Sequence, residues 1–170
     1  MAALTERKPA SNIEALRVPP HSIEAEQAVL GGLMLAPESW DRIADKLTEN
    51  DFYRRDHRVI YRAIGDLSEK GMPYDAVTLG EWFQAQNLAD LVGGASYVIE
   101  LANSTPSAAN IVAYADIVRE KSVLRQLIDA GTEIAGDAFL PEGRSSQELL
   151  EVAEQKVFHI AEAGARGRKG

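Results

Sequence analysis

Apolar residues recur along this chain with the period of an α-helix. Ile60, Ala63, Ile64 and Leu67 occupy positions i, i+3, i+4 and i+7, which lie on one helix face, and residues 40–47 repeat that spacing. No stretch alternates apolar and polar residues over the length of a useful β-strand. The pattern therefore predicts an all-α protein, a globular bundle of short helices followed by a long antiparallel helical hairpin.

Capping residues divide the first two thirds of the chain into short helices. Ser22, Asp56 and Asp75 each precede an apolar-periodic run, where a short polar side chain can accept a hydrogen bond from a first-turn N–H. We expect a disordered N-terminal arm over residues 1–21, which mix charges with prolines. A globular helical subdomain is expected over residues 22–106.

The second part of the chain has a different pattern. Residues 107–139 contain no proline and keep the helical period throughout. A Pro141-Glu-Gly143 turn follows, and Ser145 with Glu148 then forms the spacing of a capping box. These features predict a hairpin subdomain over residues 107–162, followed by a flexible basic tail over residues 163–170.

The long helix of this hairpin carries two apolar stripes, which is more than one neighbouring helix usually covers. We therefore predict an isologous dimer, hairpin against hairpin, the alternative being that the globular bundle covers both stripes. The predicted dimer interface comprises Tyr114, Ile117, Val118, Leu124, Ile128, Gly131, Ala135, Leu149, Val157 and Ile160.

Composition and charge narrow the class of function. The chain has 170 residues, no cysteine and a net charge of −8, from 18 basic and 26 acidic residues. Without cysteine there is no disulfide framework, no thiolate metal site and no cysteine nucleophile. An acidic body is a poor match for nucleic-acid phosphates and favours protein partners. No stretch has the roughly 20 apolar residues of a membrane span, so a cytoplasmic protein is expected.

Few residues form patterns typical of catalytic, phosphate-binding or metal-binding sites. The phosphate-loop pattern Gly-x-x-x-x-Gly-Lys-Ser/Thr does not occur. The histidines lie far apart and predict no metal site, although His57 beside Asp56 leaves a general base open as a minor alternative. Arg55, Arg58 and Arg62 form a basic stripe, which we interpret as a solvated or ion-paired face rather than a DNA contact. We predict no catalytic, cofactor-binding or metal-binding residue in this chain.

A series of short motifs resembles the opening of bacterial replicative DNA helicases of the DnaB type. The resemblance extends over about residues 15–162 in the family's order and spacing. It rests on residues 17–20 (RVPP), 22–31 (SIEAEQAVLG), 51–53 (DFY), 75–79 (DAVTL), 93–97 (GGASY) and 114–121 (YADIVREK).

This resemblance implies an N-terminal domain whose hairpins pair into dimers, three of which form the collar of a hexamer. A motor domain absent from this chain would bind ATP, Mg²⁺ and most of the DNA and would drive 5′→3′ unwinding. The collar would bind the C-terminal domain of primase. The motif matches carry primase-binding positions onto Glu24, Tyr97, Ile128 and Ile134.

The sequence thus predicts a non-catalytic oligomerisation and primase-docking domain of a replicative helicase. The main alternative is a stand-alone helical adaptor that binds another protein. A third interpretation, an enzyme that uses His57 and nearby carboxylates, lacks a recognisable reaction.

Overall fold

The computed structural model of the chain describes the backbone of residues 17–169 and the side chains of residues 17–164. In that range it has seven α-helices, three short 3₁₀ turns and no β-strand, so the all-α prediction is confirmed. The helices are α1 Ile23–Leu35, α2 Trp40–Ile43, α3 Arg55–Glu69, α4 Ala76–Ala85, α5 Gly94–Ser104, α6 Ile111–Phe139 and α7 Ser146–Lys169.

Helix α1 lies at the centre of the globular part. Its cap is the predicted one, because Ser22 Oγ accepts a hydrogen bond from the Ala25 N–H at 3.2 Å. Val29, Leu30 and Leu33 are completely buried, and the helix packs against α5 and α6. A helix that is apolar on nearly every side is stable only when other helices surround it, which explains its central position.

Helices α3 and α4 complete the bundle. Asp75 caps α4 as predicted, with its Oδ1 accepting from the Thr78 N–H at 2.9 Å. The predicted cap of α3 is wrong: Arg54 occupies the N-cap position, and Asp56 lies in the first turn, where it pairs with the Arg54 guanidinium. The first turn is still acidic, and a carboxylate there is favoured by the positive end of the helix dipole.

Helix α6 belongs to both parts of the molecule. Its first half is packed into the globular core through Ile111, Ala115 and Val118, whereas its second half packs against α7. Polar groups fix the docking: Arg119 Nη1 and Ser122 Oγ each donate to Asp51 Oδ1 at 2.7 Å. The carboxylate is nearly inaccessible, so these charge-assisted bonds are shielded from water.

Two predicted segment boundaries change. Residues 17–21, the end of the predicted disordered arm, lie against the globular part: Arg125 Nη1 donates to the Pro20 carbonyl at 2.6 Å, and His21 stacks on Tyr53 at 4.1 Å. Residues 1–16 of that arm lie outside the described residues. The last helix extends to Lys169, seven residues beyond its predicted end at Glu162, so the backbone of residues 163–169, predicted as a flexible tail, is helical.

The hairpin turn follows the predicted chemistry. The Glu148 N–H donates to Ser145 Oγ at 3.1 Å and the Ser145 N–H donates to Glu148 Oε1 at 3.5 Å, which is the reciprocal pattern of a capping box. Within residues 17–169 no helix combines the length and hydropathy that crossing a bilayer requires.

Candidate functional site

A buried polar network connects three helices of the globular part. His57 of α3 is completely buried; its Nδ1 lies 2.7 Å from Glu26 Oε1 of α1, and its Nε2 lies 2.6 Å from the Tyr97 hydroxyl of α5. Glu26 is also buried and accepts the Tyr53 N–H at 2.7 Å. Gln27 Nε2 donates to the Tyr97 oxygen at 3.2 Å.

One proton arrangement satisfies every member of this network. A carboxylate can only accept, so His57 Nδ1–H donates to Glu26, and Nε2 then accepts the Tyr97 O–H. The Tyr97 oxygen keeps a lone pair for the Gln27 amide. Burial raises the pKa of the Tyr97 hydroxyl, which keeps it protonated as this arrangement requires.

The network disfavours the interpretation of His57 as a general base. Its ring has no exposed surface, and both nitrogens are occupied by Glu26 and Tyr97. A general base must come within hydrogen-bond reach of a substrate proton, and no path to these nitrogens is open. The arrangement is structural, because it fixes α1, α3 and α5 relative to each other.

Tyr97 is a member of the network that also reaches the surface. Its ring is half-buried, stacked on His57, and covered on part of its face by the Arg54 guanidinium 5.1 Å from the ring centroid. An aromatic ring with a fixed hydroxyl and an accessible edge is a typical protein-contact residue. The predicted role of Tyr97 in partner binding is thus sterically compatible with its place in the network.

Glu24 is exposed, one turn before Gln27 on α1. It lines a groove of about 300 Å³ together with Gln27, the residue that donates to Tyr97. Tyr114, predicted at the dimer interface, lines the same groove and packs partly against the globular core. Glu24 and Tyr114, predicted for two different interfaces, therefore line one groove of the globular surface.

The hairpin exposes apolar side chains along both of its helices, here called the hairpin face. Among the predicted interface residues, Ile117 is 40%, Ile128 51% and Val157 48% exposed, and Gly131 and Ala135 are also open. Leu124 and Leu149 are half-buried, as is Ile134, which was predicted for primase binding. Monomeric proteins rarely leave so many apolar side chains in contact with water, and such surfaces commonly bind another protein.

Two predicted interface residues are not available to a partner. Val118 is only 1% exposed because it lies in the globular core. Ile160 of α7 is 8% exposed, because α7 packs against α6 along the hairpin. Periodicity identified both as apolar-face positions but could not show that their own chain covers them.

The hairpin face also contains residues that the sequence interpretation missed. Leu127 extends the stripe on α6, and Phe139 and Leu140 are 90% and 65% exposed at the hairpin turn. On α7, Leu150 and Phe158 are more than half exposed. The adjacent large apolar pair at the turn was the signal that could have identified the tip, because turns are otherwise rich in polar residues.

Residues 17–19 form one wall of a groove on this face. The opposite wall consists of Leu127, Ile128, Gly131 and Ala135, and the enclosed volume is about 520 Å³. Ile128 thus lines a different groove from Glu24. The four predicted primase-binding residues do not form one continuous patch in a single chain.

Among the side chains of residues 17–164, no three His, Cys, Asp or Glu residues come together as a set of metal ligands.

Comparison with known proteins agrees with this picture. Residues 18–120 match the model of the DnaB-like helicase N-terminal domain family. The chain is 46% identical over 153 residues to the replicative DNA helicase DnaB of Haemophilus influenzae, covering 90% of this chain and 33% of that protein. It is 41% identical over 170 residues to the DnaB of Pasteurella multocida, covering 100% of this chain and 36% of that protein. The chain spans about a third of the length of these relatives.

Solved structures show the same relationship. The N-terminal domain of DnaB helicase from Mycobacterium tuberculosis superposes with a TM-score of 0.80 at 37% identity, covering 84% of this chain and 99% of that one. A DnaB-like replicative helicase, described with its interactions with primase, gives a TM-score of 0.65 at 26% identity and covers 80% of this chain and 31% of that one. Since the family model covers more than half of the chain, this protein belongs to the DnaB-like helicase N-terminal domain family.

Proposed function

We propose that this chain is the oligomerisation and primase-docking domain of a replicative DNA helicase. The observation that carries the proposal is the hairpin face, whose large apolar side chains are uncovered in the single chain. A two-helix hairpin buries apolar residues only between its own helices, so such a face is stable in water when another copy covers it. A relative of this chain is described together with its interactions with primase, which supports the second part of the proposal.

Dimerisation would pair the hairpin faces of two chains. Ile128, Gly131 and Ala135 occur at i, i+3 and i+7 of α6, so a large side chain is followed by small ones along one stripe. An isologous interface uses this stripe twice, which lets the isoleucine of each chain lie over the small residues of its partner. Three such dimers would form the hexameric collar.

The dimer proposal is tested by charge substitution on the hairpin face. The double variant Ile117→Asp and Ile128→Asp should lower the molecular mass measured by light scattering after size exclusion, because each buried carboxylate would be unpaired. Val77→Asp is the matched control, since Val77 is a 71% exposed apolar residue on the globular part. Circular dichroism of both variants should retain the helical signal.

Two outcomes would refute the dimer proposal. The unmodified chain could remain a monomer at high micromolar concentration, or the hairpin variant and the Val77→Asp control could have the same mass. Either result would show that the hairpin face does not join copies of this chain.

Primase docking would use the surface around Glu24 and Tyr97. Glu24 is exposed, and the hydroxyl of Tyr97 is fixed by His57 at 2.6 Å, so little ordering is needed on binding. We expect Glu24→Lys to weaken binding of the C-terminal domain of the primase from the same organism, measured by calorimetry. Glu38→Lys, at an exposed glutamate of the 3₁₀ turn that follows α1, is the control. Equal affinity of both variants would exclude Glu24, and no binding of the unmodified chain would favour an adaptor for another protein.

The activity of the whole protein follows from the same proposal. Its relatives are replicative DNA helicases three times as long as this chain. We infer that ATP, Mg²⁺ and most of the DNA are bound by a motor domain and not by these 170 residues. The proposal locates the protein in the bacterial cytoplasm, where the chromosome is replicated.

A further inference from the structure

A basic groove lies on the globular part, between α3 and the segment that follows α4. The cations of its rim come from one face of α3, where Arg55, Arg58, Arg62 and Lys70 recur every three to eight residues. Its volume is about 670 Å³. We call this site the basic groove.

Within residues 17–164, no carboxylate pairs with a cation of the basic groove. Neither Arg55 nor Arg62 forms an ion pair with a carboxylate of residues 17–164, and both are exposed. Arg58 is held in place by two backbone carbonyl groups that precede α3. Its Nη1 donates to the Phe52 carbonyl at 3.2 Å and to the Tyr53 carbonyl at 3.4 Å. The groove therefore presents one fixed guanidinium between two that can adjust to a ligand.

This arrangement is unusual for such an acidic chain. The protein has 26 acidic residues against 18 basic ones, so carboxylates are abundant. The groove nevertheless gathers four cations and only two carboxylates, Glu49 and Asp66, neither of which pairs with a rim cation within residues 17–164. Like charges three and four residues apart on a helix repel each other, and an external anion would relieve that repulsion.

One wall of the groove is apolar. Trp82 is half-buried, with its ring perpendicular to Phe83 at 5.3 Å, and Val59 and Leu88 complete the wall. A tryptophan held at the edge of a pocket binds an aliphatic or aromatic side chain well. Because the groove combines a cationic rim with an apolar wall, we propose that it binds a short acidic peptide segment of a partner protein. One large apolar side chain of that peptide would pack against Trp82.

Charge distribution favours a peptide over nucleic acid. The excess of cations is local, whereas the chain as a whole has a net charge of −8. A single strand of DNA would continue beyond the groove and meet an acidic surface, which repels phosphates. A segment of a few residues ends within the groove, and its carboxylates suit the bidentate geometry of arginine. The groove residues lie outside the hairpin face, so this inference does not depend on the proposed function.

The test uses the 170-residue chain and a fluorescein-labelled peptide of sequence Glu-Asp-Glu-Leu-Asp-Glu. Fluorescence anisotropy should show binding that weakens with added salt, and the neutral peptide Gln-Asn-Gln-Leu-Asn-Gln should bind at least about tenfold more weakly. The double variant Arg55→Glu and Arg62→Glu should lose about tenfold or more in affinity. Arg42→Glu, a change at an exposed arginine of α2, should stay within about twofold.

A second measurement locates the peptide on the surface. The chain has two tryptophans, and the indole N–H resonance of Trp82 should shift on titration while that of Trp40, which packs on Tyr61, stays unchanged. Circular dichroism of the variants would separate lost binding from lost folding.

Each of the other results would overturn the proposal. These are no binding of the acidic peptide at low salt, equal loss for Arg42→Glu, or a resonance shift at Trp40 alone. Tighter binding of a short oligothymidylate than of the peptide, with the same dependence on Arg55 and Arg62, would assign the groove to nucleic acid instead.

Discussion

Replacing Gly31 with alanine should destabilise this fold, although alanine is the better helix former. Gly31 lies at the crossing of α1 and α5. A Cβ atom there would overlap Thr105 Oγ1, lie 2.5 Å from the carbonyl oxygen of Leu101 and lie 2.8 Å from Thr105 Cβ. Two of these atoms belong to a buried hydrogen bond, in which Thr105 Oγ1 donates to the Leu101 carbonyl at 2.9 Å. The backbone oxygen cannot move without moving α5.

The magnitude follows from three contributions. Overpacking of a close helix contact costs about 1–3 kcal/mol, at the upper end here because a backbone atom is involved. Loss of the buried hydrogen bond adds about 1 kcal/mol. The higher helix propensity of alanine offsets about 1 kcal/mol of this. We expect Gly31→Ala to lower the free energy of unfolding by about 2–3 kcal/mol.

Urea denaturation followed by circular dichroism measures this change, and Gly136→Ala is the matched control. Gly136 is also inside a helix, but a Cβ atom there would meet nothing within 4 Å. The control should therefore stabilise the chain by about 0.5–1 kcal/mol. If Gly31→Ala were as stable as the unmodified chain, or more stable, the close approach of α1 and α5 would be wrong.

Three further predictions address the polar groups of the fold. His57→Ala removes both ring hydrogen bonds and should lower the free energy of unfolding by about 3 kcal/mol in a urea titration; a loss below about 1 kcal/mol would contradict the network. Asp51→Asn removes the charged acceptor of Arg119 and should accelerate amide hydrogen exchange in α6; unchanged exchange rates would show that this pair does not fix the docking. Burial raises the pKa of Tyr61 above its ordinary value, so the neutral phenol stabilises the folded state below about pH 10 and that stabilisation is lost as the pH rises further. The unfolding free energy of Tyr61→Phe should decline less above that pH than that of the unmodified chain, and equal declines would refute the assignment.

The features that could be predicted from the sequence are mainly local. Ser22, Asp75 and the Ser145–Glu148 box form the hydrogen bonds that their spacing indicated, because donor and acceptor lie three residues apart. The prediction for α3 is wrong because N-cap propensity favours Asp56, whereas the helix begins one residue before it, after Arg54, whose side chain forms no capping hydrogen bond.

The polar network could not be predicted in this way. His57 bonds to residues 31 and 40 positions away, and no spacing rule relates positions on three separate helices. The adjacent Asp56 drew attention to a surface acid–base pair, whereas the buried partner is Glu26. Only the packing of α1, α3 and α5 brings these groups together.

In the hairpin, the sequence pattern could not predict which apolar residues are buried by their own chain. Helical periodicity correctly indicated two apolar stripes on α6, but it does not show which atoms cover each stripe. Val118 faces the core of its own chain and Ile128 faces water, although both occupy apolar-face positions. Deciding between them requires the position of the globular part along the helix, which is a tertiary property.

Helix α6 is shared by the globular part and the hairpin, and it joins them as one continuous rigid element. Its 29 residues form one uninterrupted helix, so it extends about 43 Å from inside the core to the exposed tip. Because the first half is locked by the Asp51 contacts, the chain has no hinge at the junction of its two parts. A small rotation of the globular part, such as a bound partner would impose, therefore produces a displacement at Phe139 that grows with the length of α6. In an assembly of several copies, a change of shape would have to take place at the contacts between chains, because the chain itself transmits motion rather than absorbing it.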